Sequence, residues 1–140
     1  MTSSEIKERI ARYCAGKTEI AACCLFGSHA AGRNRPGSDL DVAFFLDASV
    51  PISSYNDFRF TVIAELGRIT RLDVHPLIMN NAGELVLDQV FRKGTCLYQR
   101  DPEALRAFRS RRLPMIAEFS YYVAMMRSKL KQRYGDQAHG

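Results

Sequence analysis

No apolar run in this chain exceeds about seven residues, far short of the roughly 20 that cross a bilayer. That argues against a membrane span. The start, Met1-Thr2-Ser3-Ser4-Glu5, has neither a basic stretch nor an apolar stretch behind it, so no secretory signal is expected there. Cysteine is scarce, at four residues, and none forms a Cys-x-x-Cys pair. Cys23 and Cys24 are adjacent in an apolar run, where period-two geometry sends them to opposite faces of a strand. Small core filler in a reducing cytoplasm is the expected role, rather than a disulfide or a metal site. Repeats, low-complexity tracts and an internal linker are also missing. The 140 residues therefore predict one domain, 1–140, with one core. The Gly-x4-Gly-Lys-Ser/Thr phosphate loop is absent, so a P-loop enzyme is not expected, and no dinucleotide glycine pattern, zinc-ligand spacing or Ser-His-Asp arrangement competes.

What remains is concentrated in one stretch. An apolar run from Ile20 to Phe26 reads as a buried strand, and a second from Val42 to Leu46 as another. Between them lie Gly27, Ser28, Gly32, Arg33, Arg35, Pro36, Gly37 and Ser38, which is loop chemistry. Asp39 and Asp41 open the second strand two residues apart, so both carboxylates face the same way. Like charges that close need a shared proton or a divalent cation. Mg²⁺ prefers one or two carboxylates together with substrate phosphates. Gly27 and Ser28 suit the phosphates: the glycine allows a sharp turn with exposed N–H groups, and Ser28 adds a hydroxyl. The alternative is a surface turn beside a solvated, acidic strand end.

The chain order predicts α/β (α+β) architecture with a mixed, roughly four-stranded sheet and flanking helices. Thr2-x-x-Glu5 resembles a capping box opening a helix that carries Ile6, Ile10, Tyr13 and Cys14 and ends near Gly16. Strands are expected over 18–26, 39–46, 71–79 and 95–99. Residues 29–32 suit a single helical turn over the phosphate site. Ser53 or Ser54 is a candidate cap for a helix buried along Phe58, Val62, Leu66 and Ile69. Asn81-x-x-Glu84 opens a third helix, with Leu85, Val86, Val90 and Phe91 apolar and Gly94 as its end. Asp101-Pro102 starts a brief helix to Phe108, and Pro114 starts a long final one. Met115, Phe119, Tyr122, Val123, Met126 and Leu130 line one side of that last helix, a stripe long enough to suit a contact surface. Pro76 cannot donate to a strand ladder, so the third strand belongs at an edge or bends there.

Topology singles out a third carboxylate. The loop from Ser28 to Asp39 is too short for a parallel crossover, so the first two strands should be antiparallel. The following helix is long enough for one, which makes the third strand parallel to the second. Asp73 then lies beside Asp39 and Asp41. Three such carboxylates can hold two Mg²⁺ and drive in-line attack at phosphorus. A strand end, or a pair with Arg71, is the plainer reading of Asp73. His75 lies on the same face and reads as a polar edge residue. His29, next to Ser28, is within reach of a phosphate.

The pattern Gly27-Ser28-x3-Gly32-x5-Ser38-Asp39-x-Asp41 resembles the signature of the DNA polymerase β-like nucleotidyltransferase superfamily, and most closely its minimal nucleotidyltransferases. Many of these are antitoxins paired with a HEPN-domain ribonuclease toxin. The resemblance spans about residues 18–100, with 101–134 left as a helical extension, and Arg71-Leu72-Asp73-Val74 matches the segment that carries the family's third aspartate. It implies ATP as substrate and two Mg²⁺ held by the catalytic Asp39, Asp41 and Asp73. Gly27, Ser28, His29, Gly32, Arg33 and Ser38 are the expected nucleotide-binding residues. Family members often carry an arginine where this chain has Ala31, so Arg33 or Arg35 must substitute, or nucleotide binding is weaker. The implied activity is transfer of AMP to a tyrosine of the partner toxin. A binding-only antitoxin, or a nucleotidyltransferase acting on a small molecule or RNA with a separate subunit, are the alternatives.

Charge adds a last observation. The net charge is +5, and nine of the 20 Lys/Arg fall from Arg100 to Arg133, opposed by Asp101, Glu103 and Glu118. Such a surface suits an acidic protein, a nucleotide or nucleic acid; direct nucleic-acid binding is left open, against a plain solvated helix face.

Overall fold

In the computed structural model, residues 1–32, 35 and 37–138 are described, with side chains through residue 135. Arg33, expected at the nucleotide, lies outside them. The elements run α1 (Ser3–Ala15), β1 (Ile20–Phe26), β2 (Leu40–Leu46), α2 (Tyr55–Thr70), β3 (Val74–Ile78), α3 (Glu84–Lys93), β4 (Thr95–Gln99) and α4 (Pro102–Ala138). One four-stranded sheet has the order β3-β2-β1-β4. β2 pairs antiparallel with β1 and parallel with β3, as loop lengths predict.

Both faces of the sheet are covered, which is why β1 and β2 read as unbroken apolar runs. Leu40, Val42, Phe44 and Leu46 face one core with Ile6, Ile10, Val62 and Leu66 from α1 and α2. Ala43 and Phe45 face a second core with Leu87 and Val90 of α3 and Phe108 and Ile116 of α4. Cys23 and Cys24 divide between the two cores, and all four cysteines are free thiols. Among the described residues, no helix is long and apolar enough to cross a membrane.

Several local expectations hold. Thr2 Oγ1 accepts the Glu5 N–H at 3.2 Å and caps α1. Asp101 Oδ1 accepts the Ala104 N–H at 3.2 Å and caps α4. Pro76 sits in the edge strand β3. Others are corrected. β3 starts at Val74 rather than Arg71, because Arg71 adopts a left-handed φ of 58° and ends α2 through its N–H to the Gly67 carbonyl at 2.8 Å. Ser54 occupies the cap position of α2, yet its hydroxyl donates to the Pro51 carbonyl. Thr70, not Ile69, completes the buried stripe of α2, its hydroxyl satisfied by the Leu66 carbonyl at 2.8 Å. Asn81 ends a 3-10 turn, and α3 begins at Glu84 with Gly83 before it.

The largest difference is at the end of the chain. One helix, α4, runs 37 residues with Pro114 inside it. Proline costs the helix the bond to the Ser110 carbonyl, yet its φ is helical and the flanking Arg109-Ser110-Arg111-Arg112-Leu113 contains no second breaker. At 1.5 Å per residue α4 is about 55 Å long. Past Ile116 no described α4 residue is buried, so Met115, Tyr122, Met126 and Leu130 of the apolar stripe stand in solvent while Phe119 and Val123 are half-buried.

Candidate active site

The site forms where β1 ends and β2 begins. Phe26 is paired with Asp41, so Gly27 turns away directly beside the Asp41 side chain. Its φ is +74°, which L side chains rarely adopt. Sterics demand glycine as well. A Cβ at Gly27 would lie 3.1 Å from Asp41 Cγ and closer still to Asp41 Oδ2. The turn continues as one i→i+4 bond, Ala31 N–H to the Gly27 carbonyl at 3.2 Å. It is a turn rather than a helix. Gly32 and Gly37 also have positive φ, at 69° and 81°.

Asp39 and Asp41 project to the face that carries α3 and α4, since Leu40 and Val42 between and beyond them belong to the other core. β3 runs alongside in parallel register, Leu40 opposite Val74 and Asp41 opposite His75. His75 Nε2 lies 3.4 Å from Asp39 Oδ2, and its Nδ1 lies 3.7 Å from Asp41 Oδ1. One imidazole thus spans both carboxylates. Burial lifts the Asp41 carboxyl above its ordinary range; His75 draws it down, Asp39 pushes it up and His29 draws it down.

Asp73 arrives through its backbone. Its carbonyl accepts the Leu40 N–H at 2.8 Å, and the parallel register that sets Leu40 opposite Val74 brings its backbone alongside Asp39. Its side chain is exposed. Among the described residues, no three His, Cys, Asp or Glu side chains gather tightly enough to hold a metal ion. The donor set still fits magnesium, which takes one or two protein carboxylates and leaves its other positions to water and phosphate. Asp39 and Asp41 offer that pair, and the Asp41 side chain lies against Gly27 at the edge of an open cleft. The cleft, about 430 Å³, is lined by Gly27, Ser28 and Ala31 and by Gln89 and Lys93 of α3.

Residues 8–103 match the sequence pattern of the family described as Polymerase beta, Nucleotidyltransferase. The chain belongs to that family. No curated protein matches the chain in sequence. Its fold is similar to that of solved structures across nearly whole chains. A toxin-antitoxin with AMP-PNP matches at 16% identity and a TM-score of 0.60, over 96% of this chain and 98% of that one. A complex of tri-AMPylated Shewanella oneidensis HEPN toxin with MNT antitoxin matches at 14% and 0.56, over 99% and 100%. The MntA-HepT toxin-antitoxin matches at 15% and 0.53, over 96% and 97%.

Within this family member the expected nucleotide residues divide. Gly27 and Ser28 line the cleft. His29 is 5% exposed, with its Nε2 at 3.1 Å from the Ser38 carbonyl oxygen. That ring braces the loop, donating its proton across it. Ser38 likewise serves the loop: its hydroxyl accepts the Arg35 N–H at 2.7 Å. His75 proves more central than a polar edge residue, as its shared face with Asp73 and the parallel register together allow. Gln89 and Lys93 left no signal in sequence, because only the packing of α3 on the sheet brings them to the motif.

Proposed function

We propose that this chain is an antitoxin that transfers AMP from ATP, with magnesium, to a tyrosine hydroxyl of a partner HEPN ribonuclease toxin. The observation that supports the reading is the close approach of Gly27 to the Asp41 carboxylate, which brings the turn against one member of the aspartate pair. Ser28 and the backbone N–H groups of the turn would hold the terminal phosphates, which glycine lets approach closely. Asp39 and Asp41 would hold magnesium, with Asp73 beside them as a third carboxylate. Magnesium would supply neutralisation of the charge on the attacking and leaving oxygens. Asp73 would accept the proton of the incoming hydroxyl. His75, within 3.4 Å of Asp39 and 3.7 Å of Asp41, would set the spacing of the two aspartates until the nucleotide arrives. Catalysis on this plan is positioning and charge stabilisation.

The acceptor should come from outside. α4 presents Tyr122, Met126 and Leu130 to solvent, a surface an acceptor protein would cover. Arg127, Lys129, Lys131 and Arg133 accompany them, which favours an acidic protein surface with an apolar centre. The solved complexes with similar folds are of toxins with antitoxins, in keeping with a toxin as that partner. The same exposed helix favours a second reading, an antitoxin that masks its partner by binding alone.

Incubation with radiolabelled ATP and magnesium, with and without a co-purified partner, separates the two. Label entering the partner, and lost with EDTA, is the expected result. Binding without label would support masking.

A further inference from the structure

We infer that Lys93, with Gln89 one turn before it, forms the subsite for the β- and γ-phosphates of the nucleotide; the inference rests on the nucleotidyltransferase reading and adds a residue to it. Three observations carry it. Asp39, Asp41 and α3 lie on the same face of the sheet, and Lys93 and Gln89 line one cleft with Gly27 and Ser28. The cleft volume, about 430 Å³, lies in the range of nucleotide-sized pockets.

The position of Lys93 is fixed by its neighbour. A Cβ on Gly94 would lie 3.2 Å from the Val90 carbonyl carbon and 3.4 Å from the Leu25 carbonyl oxygen. Gly94 therefore lets the end of α3 press against β1, two residues before Gly27. Its φ of −74° is ordinary, so close approach rather than backbone conformation is what requires glycine here.

Neighbouring cations have other tasks. Arg92 is paired with Asp88 at 2.9 Å, and the Arg109 guanidinium lies 5.5 Å from the Phe91 ring. Lys93 is exposed and has no acidic partner among the described residues. Phosphate also needs a cation on this side. The Asp41 side chain lies against Gly27, which lines the cleft, and negative charge grows on the departing pyrophosphate. An ammonium group at α3 meets that charge as a mobile point cation.

Calorimetry on the full chain with magnesium tests the assignment, using ATP and AMP as ligands. Lys93→Ala should weaken ATP about tenfold, the size of a lost charged hydrogen bond, and leave AMP, which lacks both outer phosphates, nearly unchanged. Lys93→Arg should recover most of the ATP affinity, and Arg92→Ala should have no effect. Melting curves matching wild type show that the variants are folded. Lys93→Ala with full ATP affinity, or with equal losses for ATP and AMP, overturns the subsite. If wild type binds neither nucleotide, the nucleotidyltransferase reading itself falls, and the subsite with it.

Discussion

Gly27 abuts Asp41 so closely that no side chain fits between them. The first half of the motif supplies the turn, and the second half supplies the carboxylate that fills the space a Cβ would need. Gly27→Ala should therefore fail twice, through its φ of +74° and through the clash. A loss of ~1–3 kcal/mol of stability is expected in chemical denaturation, together with loss of ATP binding. Adding Asp41→Ala to Gly27→Ala should recover part of the stability and none of the binding. Stability equal to wild type in the single variant would show that the turn tolerates a Cβ.

The raised Asp41 carboxyl sets a pH dependence. Its folded state holds the proton more tightly than the unfolded chain does. This group therefore favours folding most at pH values below its unfolded range near 4, and that contribution is lost as pH rises through the folded value. Asp41→Asn removes the penalty. At pH 7 the variant should melt at or above the wild-type temperature, and the difference should shrink as pH falls below about 4. A variant that melts well below wild type at pH 7 would mean that the carboxylate stabilises the fold.

Cys96 should be the reactive thiol. It is exposed and lies opposite Cys24 in the β1–β4 register. A hydrogen bond from the Cys24 thiol draws its pKa down to about 6, and contacts from Gln99 and the Tyr98 backbone add to this against the effect of burial. Gln99 Nε2 donates to its sulfur at 2.9 Å. Iodoacetamide at pH 7 should label Cys96 before Cys14, Cys23 or Cys24, and Gln99→Ala should slow the labelling. Equal labelling of all four thiols under native conditions would contradict this.

The exposed end of α4 should be needed for association and not for folding. A chain ending at Ala117 retains the buried Phe108 and Ile116. It should melt within a few degrees of the full chain, yet lose the partner in sedimentation. Undiminished association would move the contact surface elsewhere.

Much of the fold could be read from local pattern because both faces of the sheet are covered. Unbroken apolar runs mark β1 and β2, and loop length alone decides that β1 is antiparallel and β3 parallel to β2. The Asp39–Asp41 pair was legible for the same reason, as its placement needs only a strand period and a turn. Where tertiary contacts decide, sequence misled. Leu85 points to solvent while Leu87 is buried, because the face of α3 is chosen by Ala43 and Phe45 across the core. His29 was legible as a neighbour of Ser28, but its turn inward to the Ser38 carbonyl depends on the loop folding back. Pro114 suggests a break, and the helix passes through it. Lys93 is 65 residues from Ser28 in the chain, a separation that no local pattern bridges.

The central claim is that Asp39 and Asp41 hold the metal for transfer of AMP to a partner protein. Intact-mass spectrometry of the partner, after incubation with ATP and magnesium, tests it most directly. Wild type should add AMP, while Asp39→Asn plus Asp41→Asn should add none yet still bind the partner, since neutral amides of similar shape leave the fold in place. Wild type that neutralises the partner's toxicity without adding mass, or a double variant that still transfers AMP, would contradict the account.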